Sequence, residues 1–249
     1  MEERFCFAKM HSKVPRLYSK GLYQFYFRGE LTPQEGDITV TTFVTKNDYE
    51  DLIRLAETWQ GPISAVLHVP TKTLSDQDPE ILDVLSTFSE LSQQNPSLRR
   101  HVDIHLVTGP VSPANMTAIP EPTNFHLNVA RLFARTEYVL FLDRDTWPSL
   151  QTRSHIEKHT KLLLKDDVLI LPTLAYTENA TNHDFPRSTK ELMELVRDNV
   201  IGIKDHGWSL NEGPTDYKNW LKMEKYAISR YNLHYQPNFV IRKAGNIPW

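Results

Sequence analysis

Residues 138–149, YVLFLDRDTWPS, run through five apolar side chains and then stop on two carboxylates, Asp143 and Asp145, set around Arg144. A short apolar run that ends abruptly reads as a strand buried on both faces, and such strands belong to parallel sheets covered by helices. Open sheets of that class bind ligands beyond the carboxyl ends of their strands. The run therefore delivers both aspartates to the edge where chemistry is done.

The flanking sequence supplies the rest of such a sheet. ITVTTFV (38–44) is β-rich, and after Thr45 or Asn47 as N-cap the residues Leu52, Leu55, Ala56 and Trp59 recur at helical spacing. Gly61-Pro62 breaks the chain before a second strand, ISAVLHV (63–69). Ile81, Leu82, Leu85 and Phe88 mark a second helix, and VDIHLV (102–107) turns Val102, Ile104 and Leu106 inward as a third strand. This βαβαβ unit is followed by a proline-rich loop, GPVSPANMTAIPEPTN (109–124), and by a short helix from Phe125 to Arg135 that leads into YVLFL. Beyond the acidic motif come a helical run from Ser149 to Leu164, a strand at Val168–Pro172, and a helix opened by a capping box of Ser188 with Glu191. Strands alternating with helices predict an α/β protein with a mostly parallel sheet flanked by helices. No internal repeat or low-complexity tract interrupts it.

Composition bounds the function. Of 249 residues, 40% are hydrophobic and 24% charged, which suffices for a sizeable core. A formal net charge of -3 lacks the positive excess of a phosphate-backbone binder, so no nucleic acid partner is expected. Cys6 is the only cysteine, which excludes an intrachain disulfide and a thiolate zinc site. The N-terminal residues are mixed basic and aromatic, with no apolar segment of signal-peptide or membrane-span length. Two sequons, at Asn115 and Asn179, would suit a secretory lumen, but about two arise by chance in a chain of this composition.

Two aspartates at i and i+2 around a turn converge readily on one hard cation, Mn²⁺ or Mg²⁺, whose remaining positions go to water and phosphate oxygens. Two other readings stay open from these residues alone. The pair can be a solvated turn opening the next helix at Pro148 and Ser149. It can also be the Asp-x-Asp of a haloacid-dehalogenase-like phosphatase, nucleophile first and acid/base second; that pattern wants Thr or Val where this chain has Trp147.

Several further stretches act together. ITVTTFVTKNDYEDLIRLAETWQGPISAVLHV (38–69), PTNFHLNVARLFARTEYVLFLDRDTWPS (122–149), FPRSTKELMELV (185–196), HGWSLNEGPTDYKNW (206–220) and YQPNFVIRK (235–243) resemble, in that order, segments of glycosyltransferase family 49. That family includes the glucuronyltransferases that extend matriglycan on dystroglycan and the C-terminal domain of LARGE-type bifunctional enzymes. The resemblance implies a GT-A fold: a Rossmann-like nucleotide-sugar half (38–150) and a partial acceptor half (151–249), behind an N-terminal extension (1–37). It implies metal-dependent, inverting transfer from a UDP-sugar donor to a glycan or glycoprotein hydroxyl, a carboxylate taking the proton. By the same carry-over, Asp143 and Asp145 hold Mn²⁺ (or Mg²⁺), Asn124, Asn128, Arg187 and His206 line the donor pocket, and Trp208 stacks on a sugar face. A Golgi or secretory-lumen location is likewise expected.

Three departures from the family pattern stand out. Leu127 occupies the position ahead of the second asparagine where the family usually has arginine, which removes a cation for a diphosphate or an acidic sugar. Asp216 stands where the family has asparagine. The family's acidic segment with the expected catalytic base, and its late histidine, would both lie beyond Trp249. The expectation is therefore a fold incomplete at its C-terminus, with a non-catalytic nucleotide-sugar-binding module as the alternative to an enzyme.

Overall fold

The computed structural model describes residues 21–71, 78–110, 123–164, 167–177, 186, 188–208, 210–216, 219–220, 227–228 and 234–244. Both sequons, Arg187 and most of the proline-rich stretch lie outside the described residues. Seven strands form the main sheet: β1 (Leu22–Phe27), β2 (Ile38–Val44), β3 (Ile63–Thr71), β4 (Val102–Pro110), β5 (Tyr138–Phe141), β6 (Leu169–Leu171) and β9 (Asn238–Arg242). Their order is β1-β4-β3-β2-β5-β9-β6, and a separate two-stranded sheet pairs β7 (Leu174–Tyr176) with β8 (Ile201–Ile203). Within the main sheet β4, β3, β2 and β5 are mutually parallel, while β1 and β9 run against them. Because β6 runs against β9, five of the seven strands point one way, which is the mostly parallel α/β class expected.

The sheet reaches further toward the N-terminus than the sequence indicated. Leu22–Phe27, placed in an extension by the family boundary, is the antiparallel edge strand on β4. Its period is broken by a register shift and by Phe25, whose backbone is left-handed at φ 50. A strand with an irregular register shows no clean alternation, so pattern reading passes over it. His105 holds the irregularity: Phe25 N–H donates to its Nδ1 at 3.0 Å, which makes Nε2 the protonated nitrogen facing Ser64 Oγ at 2.9 Å, and Ser64 in turn donates to Ala130 O at 2.7 Å.

Helices cover both faces. On one side α1 (Tyr49–Trp59), α2 (Pro79–Gln94), α3 (Pro96–His101), α5 (Thr152–Glu157) and α6 (Thr160–Leu163) pack on Ile38, Val40, Ile63, Ala65, Leu67, Ile104 and Leu140. On the other side α4 (Thr123–Phe133) sets Phe125, Val129 and Ala130 against Phe43, Val66 and Val107. Alternate residues of each strand thus enter opposite cores, and the polar ones among them, Thr39, Thr41, Ser64, Asp103 and His105, are buried as well. The single helix expected from Ser149 to Leu164 is two short ones, α5 and α6. One last helix, α7 (Thr189–Arg197), starts where Ser188 Oγ accepts from Glu191 N at 3.2 Å.

Candidate functional site

From β2 the chain steps outward through β3 and β4, then returns to lay β5 on the other side of β2. That reversal sets a topological switch point at the carboxyl ends of β2 and β5, the place where such sheets hold ligands. Pairing continues one residue past β5, Leu142 N–H donating to Thr41 O at 3.2 Å, and a turn then closes from Thr146 N–H to Asp143 O at 3.1 Å. Asp143, Arg144 and Asp145 ride on this turn and face solvent.

The turn is held from below. Trp147 donates from Nε1 to Asp51 O at 3.3 Å, and the Arg54 guanidinium lies 5.1 Å from its ring centroid. The residue that departs from the phosphatase pattern is therefore the fastener between the acidic turn and α1. Arg144 turns back over β2, 5.5 Å above the Phe43 ring and 3.7 Å from Asp48 Oδ2. Asp48 is itself fixed, accepting from Thr45 N at 2.8 Å and Thr45 Oγ1 at 2.7 Å in the capping box that opens a 3-10 turn at Lys46–Asp48. Thr45 caps this 3-10 turn, whereas the N-cap of α1 itself is neither Thr45 nor Asn47 but Asp48, which makes no side-chain cap hydrogen bond.

Negative charge is in excess here. Crowding by protein raises the pKa of Asp143; Lys204 pulls it down, Asp145 pushes it up again, and Arg144 lowers it. Asp51 is raised too, by burial first and then by Asp48, with Arg54 opposing and Asp145 adding a further push. Among the described residues no three histidine, cysteine or carboxylate groups converge to hold an ion by themselves. The residues present fit a cation that takes one or two carboxylates and fills its shell with water and ligand oxygens, the habit of Mg²⁺ and Mn²⁺.

α4 runs antiparallel to the parallel strands. His126, near its start, stacks 5.5 Å from Phe43 and 4.6 Å from His68, whereas Ala130 meets Ser64 at the beginning of β3. Asn124, exposed in the first turn, is thus brought to the same edge as Asp143, with the half-buried Asn128 one turn deeper. His206 and Trp208 arrive from the other side. They follow β8 in a turn whose first residue, Lys204, reaches Asp145 Oδ1 with Nζ at 3.7 Å. Trp208 is half exposed at 51%, and Trp220 is half buried. The turn is tight: a Cβ on Gly213 would lie 2.0 Å from the Trp208 carbonyl oxygen.

The two departures within the described chain have local uses. Leu127 packs between the clusters of Phe43, Val66 and Val107 and of Ala134, Val139 and Phe141. Asp216 accepts from Asn219 N at 3.1 Å and Asn219 Nδ2 at 2.7 Å, closing a turn ahead of Trp220. Sequence reasoning missed Asp48, Lys204, Glu212 and the buried His126. Thr45-x-x-Asp48 is a capping-box pattern and carried a signal for the first; Lys204 and Glu212 meet their partners only through the fold.

The open α/β sheet thus carries an acidic turn at its switch point, with Lys204 reaching that turn from the segment that leads to His206 and Trp208. The sequence profile of the family described as "Glycosyl-transferase for dystroglycan" matches residues 37–119 and 110–246, and the chain belongs to that family. It is 26% identical to the glycosyltransferase-like protein LARGE of Caenorhabditis elegans over 86% of this chain and 32% of that protein. It is 25% identical to the mouse xylosyl- and glucuronyltransferase LARGE2 over 84% of this chain and 28% of the other. The chain spans about a third of the length of these relatives. A crystal structure of S. aureus TarS 1-349 is similar over 59% of this chain and 38% of that one, with 15% identity and a TM-score of 0.33.

Proposed function

We propose that this chain binds a UDP-sugar with a divalent cation at Asp143 and Asp145 and transfers the sugar, with inversion, to a hydroxyl of a glycan or glycoprotein. The observation that carries the reading is the placement of two aspartates at the switch point of the sheet in a member of a glycosyltransferase family. The cation, when bound, neutralises charge on the departing diphosphate. Asp143 and Asp145 hold it, while Trp147 and Asp48 keep their turn in place.

Asn124 and Asn128 approach the same edge from α4 and offer amide hydrogen bonds to ribose or sugar hydroxyls. Trp208 presents half its ring to solvent for a sugar face, with His206 beside it. Arg187 belongs to the proposed donor set from the sequence alone. The relatives named as xylosyl- and glucuronyltransferases make a pentose or uronic acid the first donors to test, with a secretory-lumen setting such as the Golgi. With a half-buried Leu127 packed against the core in place of a cation, a neutral donor sugar suits this site better than an acidic one.

Thermal denaturation with Mn²⁺ and UDP tests the proposal. A ligand at a hundredfold its dissociation constant adds about 2.7 kcal/mol to the unfolding free energy, and Asp145→Ala should abolish that gain. Absence of any gain in the wild type, together with hydrolysis of phosphate monoesters, would sink the glycosyltransferase reading.

A further inference from the structure

Glu212 is buried to 3% exposure although it carries a carboxylate. One oxygen is fully engaged: Oε1 accepts from Thr173 Oγ1 at 2.5 Å and from Asn238 N at 3.2 Å. Asn238 Nδ2 also donates to Thr173 Oγ1 at 2.7 Å, so the three residues, with the Asn238 backbone N–H included, form a closed knot between β9, the β6–β7 link and the segment after β8. The other oxygen, Oε2, is shielded from solvent and has no hydrogen-bond partner among the described residues. A buried acceptor left unmade is costly, more so on a charged group.

A cation is attached to the same knot. Lys204 donates its backbone N–H to Thr173 O at 3.0 Å, the residue whose hydroxyl grips Glu212. Its ammonium, on a flexible four-carbon stem, is instead extended to Asp145 Oδ1 at 3.7 Å. That pair is exposed, 32% for the lysine side chain and 66% for the aspartate, and so contributes little. The Lys204 charge already lowers the pKa of Glu212, against the larger upward push of burial.

A divalent ion on Asp145 would sit within reach of that ammonium and repel it. We propose that Lys204 is an internal counter-ion that exchanges partners, pairing with Asp145 when the acidic turn is empty and with Glu212 Oε2 when a divalent cation takes Asp145. The inference rests on the cation site proposed above. Its consequence is a mechanical link: filling the acidic turn draws Lys204 onto Glu212 and tightens the segment that carries His206 and Trp208. Glu212 acts here as a positioning residue, through Lys204.

Mn²⁺ binding to the full chain, counted as loss of free-ion signal by electron paramagnetic resonance, tests the exchange. Glu212→Gln keeps an acceptor for Thr173 and Asn238 but presents an amide to the ammonium. It should weaken Mn²⁺ about three- to fivefold, the value of a modest ion pair, and should leave affinity unchanged when made on Lys204→Met. Equal weakening with and without Lys204, or none in either, overturns the exchange while the cation site stands. If the wild type binds no Mn²⁺ that Asp145→Asn removes, both readings fall. In the unmutated protein, carboxyl-carbon resonances supply a second measure: saturating Mg²⁺ should lower the titration midpoint of Glu212, and a midpoint that does not move refutes the exchange.

Discussion

Acid should loosen this fold through two histidines, and the amount can be worked out. His105 and His126 are fully buried, and burial pulls both from an ordinary 6.5 to about 3, with Arg135 adding to the effect on the first and His68 on the second. Geometry agrees: a proton on His105 Nδ1 would meet the Phe25 N–H that already points at it, and neither ring nitrogen of His126 has a hydrogen-bond partner among the described residues. A histidine with a depressed folded pKa supports the fold above its unfolded value and costs stability as pH falls, because the unfolded chain takes up the proton first. Between about pH 7.5 and pH 5.5 each histidine removes about 1.4 kcal/mol, and the two together about 3 kcal/mol. His101, also lowered by burial, adds in the same direction. Asp143 and Glu212, raised by burial, act oppositely: the folded chain holds their protons more tightly, so they favour folding as pH falls. The wild-type slope is therefore composite, and a variant isolates one histidine. Urea unfolding across this range should show that His126→Phe, which fits among Phe43, Phe125 and His68, loses about 1.4 kcal/mol of the pH dependence at constant m-value. An unchanged slope in His126→Phe would mean that the ring is already protonated or hydrated in the fold, and the reasoning would be wrong.

Two further outcomes test other parts of the molecule. Arg135 clamps the buried Asp103 carboxylate at 2.7 and 3.1 Å, and Asp103 also accepts from Gly29 N at 2.9 Å; Arg135→Met should cost about 3 kcal/mol in urea, since it strands a buried charge. Gly213→Ala drives a methyl group into the Trp208 carbonyl; it should shift the tryptophan emission and cost about 1–3 kcal/mol in urea, because the neighbouring Glu212 ties that loop to Asn238 of β9.

The parallel core was legible because the strands from Ile38, Ile63, Val102 and Tyr138 are short runs rich in β-branched and apolar residues, with helical spacing between the first three. Leu22–Phe27 was not, because its register shift and left-handed Phe25 destroy the alternation that reveals an edge strand. The break between α5 and α6 was equally hidden, since apolar spacing continues across a turn that carries no glycine or proline. At the site, Asp143 and Asp145 could be found from one strand and its end. Lys204 and Glu212 could not, because their meaning comes from Thr173, Asn238 and Asp145, which are distant in the chain and of ordinary local composition.

The strand that presents the aspartates is central only because β9 pairs with it, Phe141 against Phe239. During synthesis β2 to β5 can assemble while β9 has yet to emerge, so one side of β5 stays an open row of hydrogen-bonding groups for roughly a hundred residues of elongation. Closure of that row also brings Asn238 to Glu212. The acidic turn and its buried counter-carboxylate are thus completed in one late event, and the interval before it is when a nascent chain of this kind is most exposed to edge-to-edge aggregation.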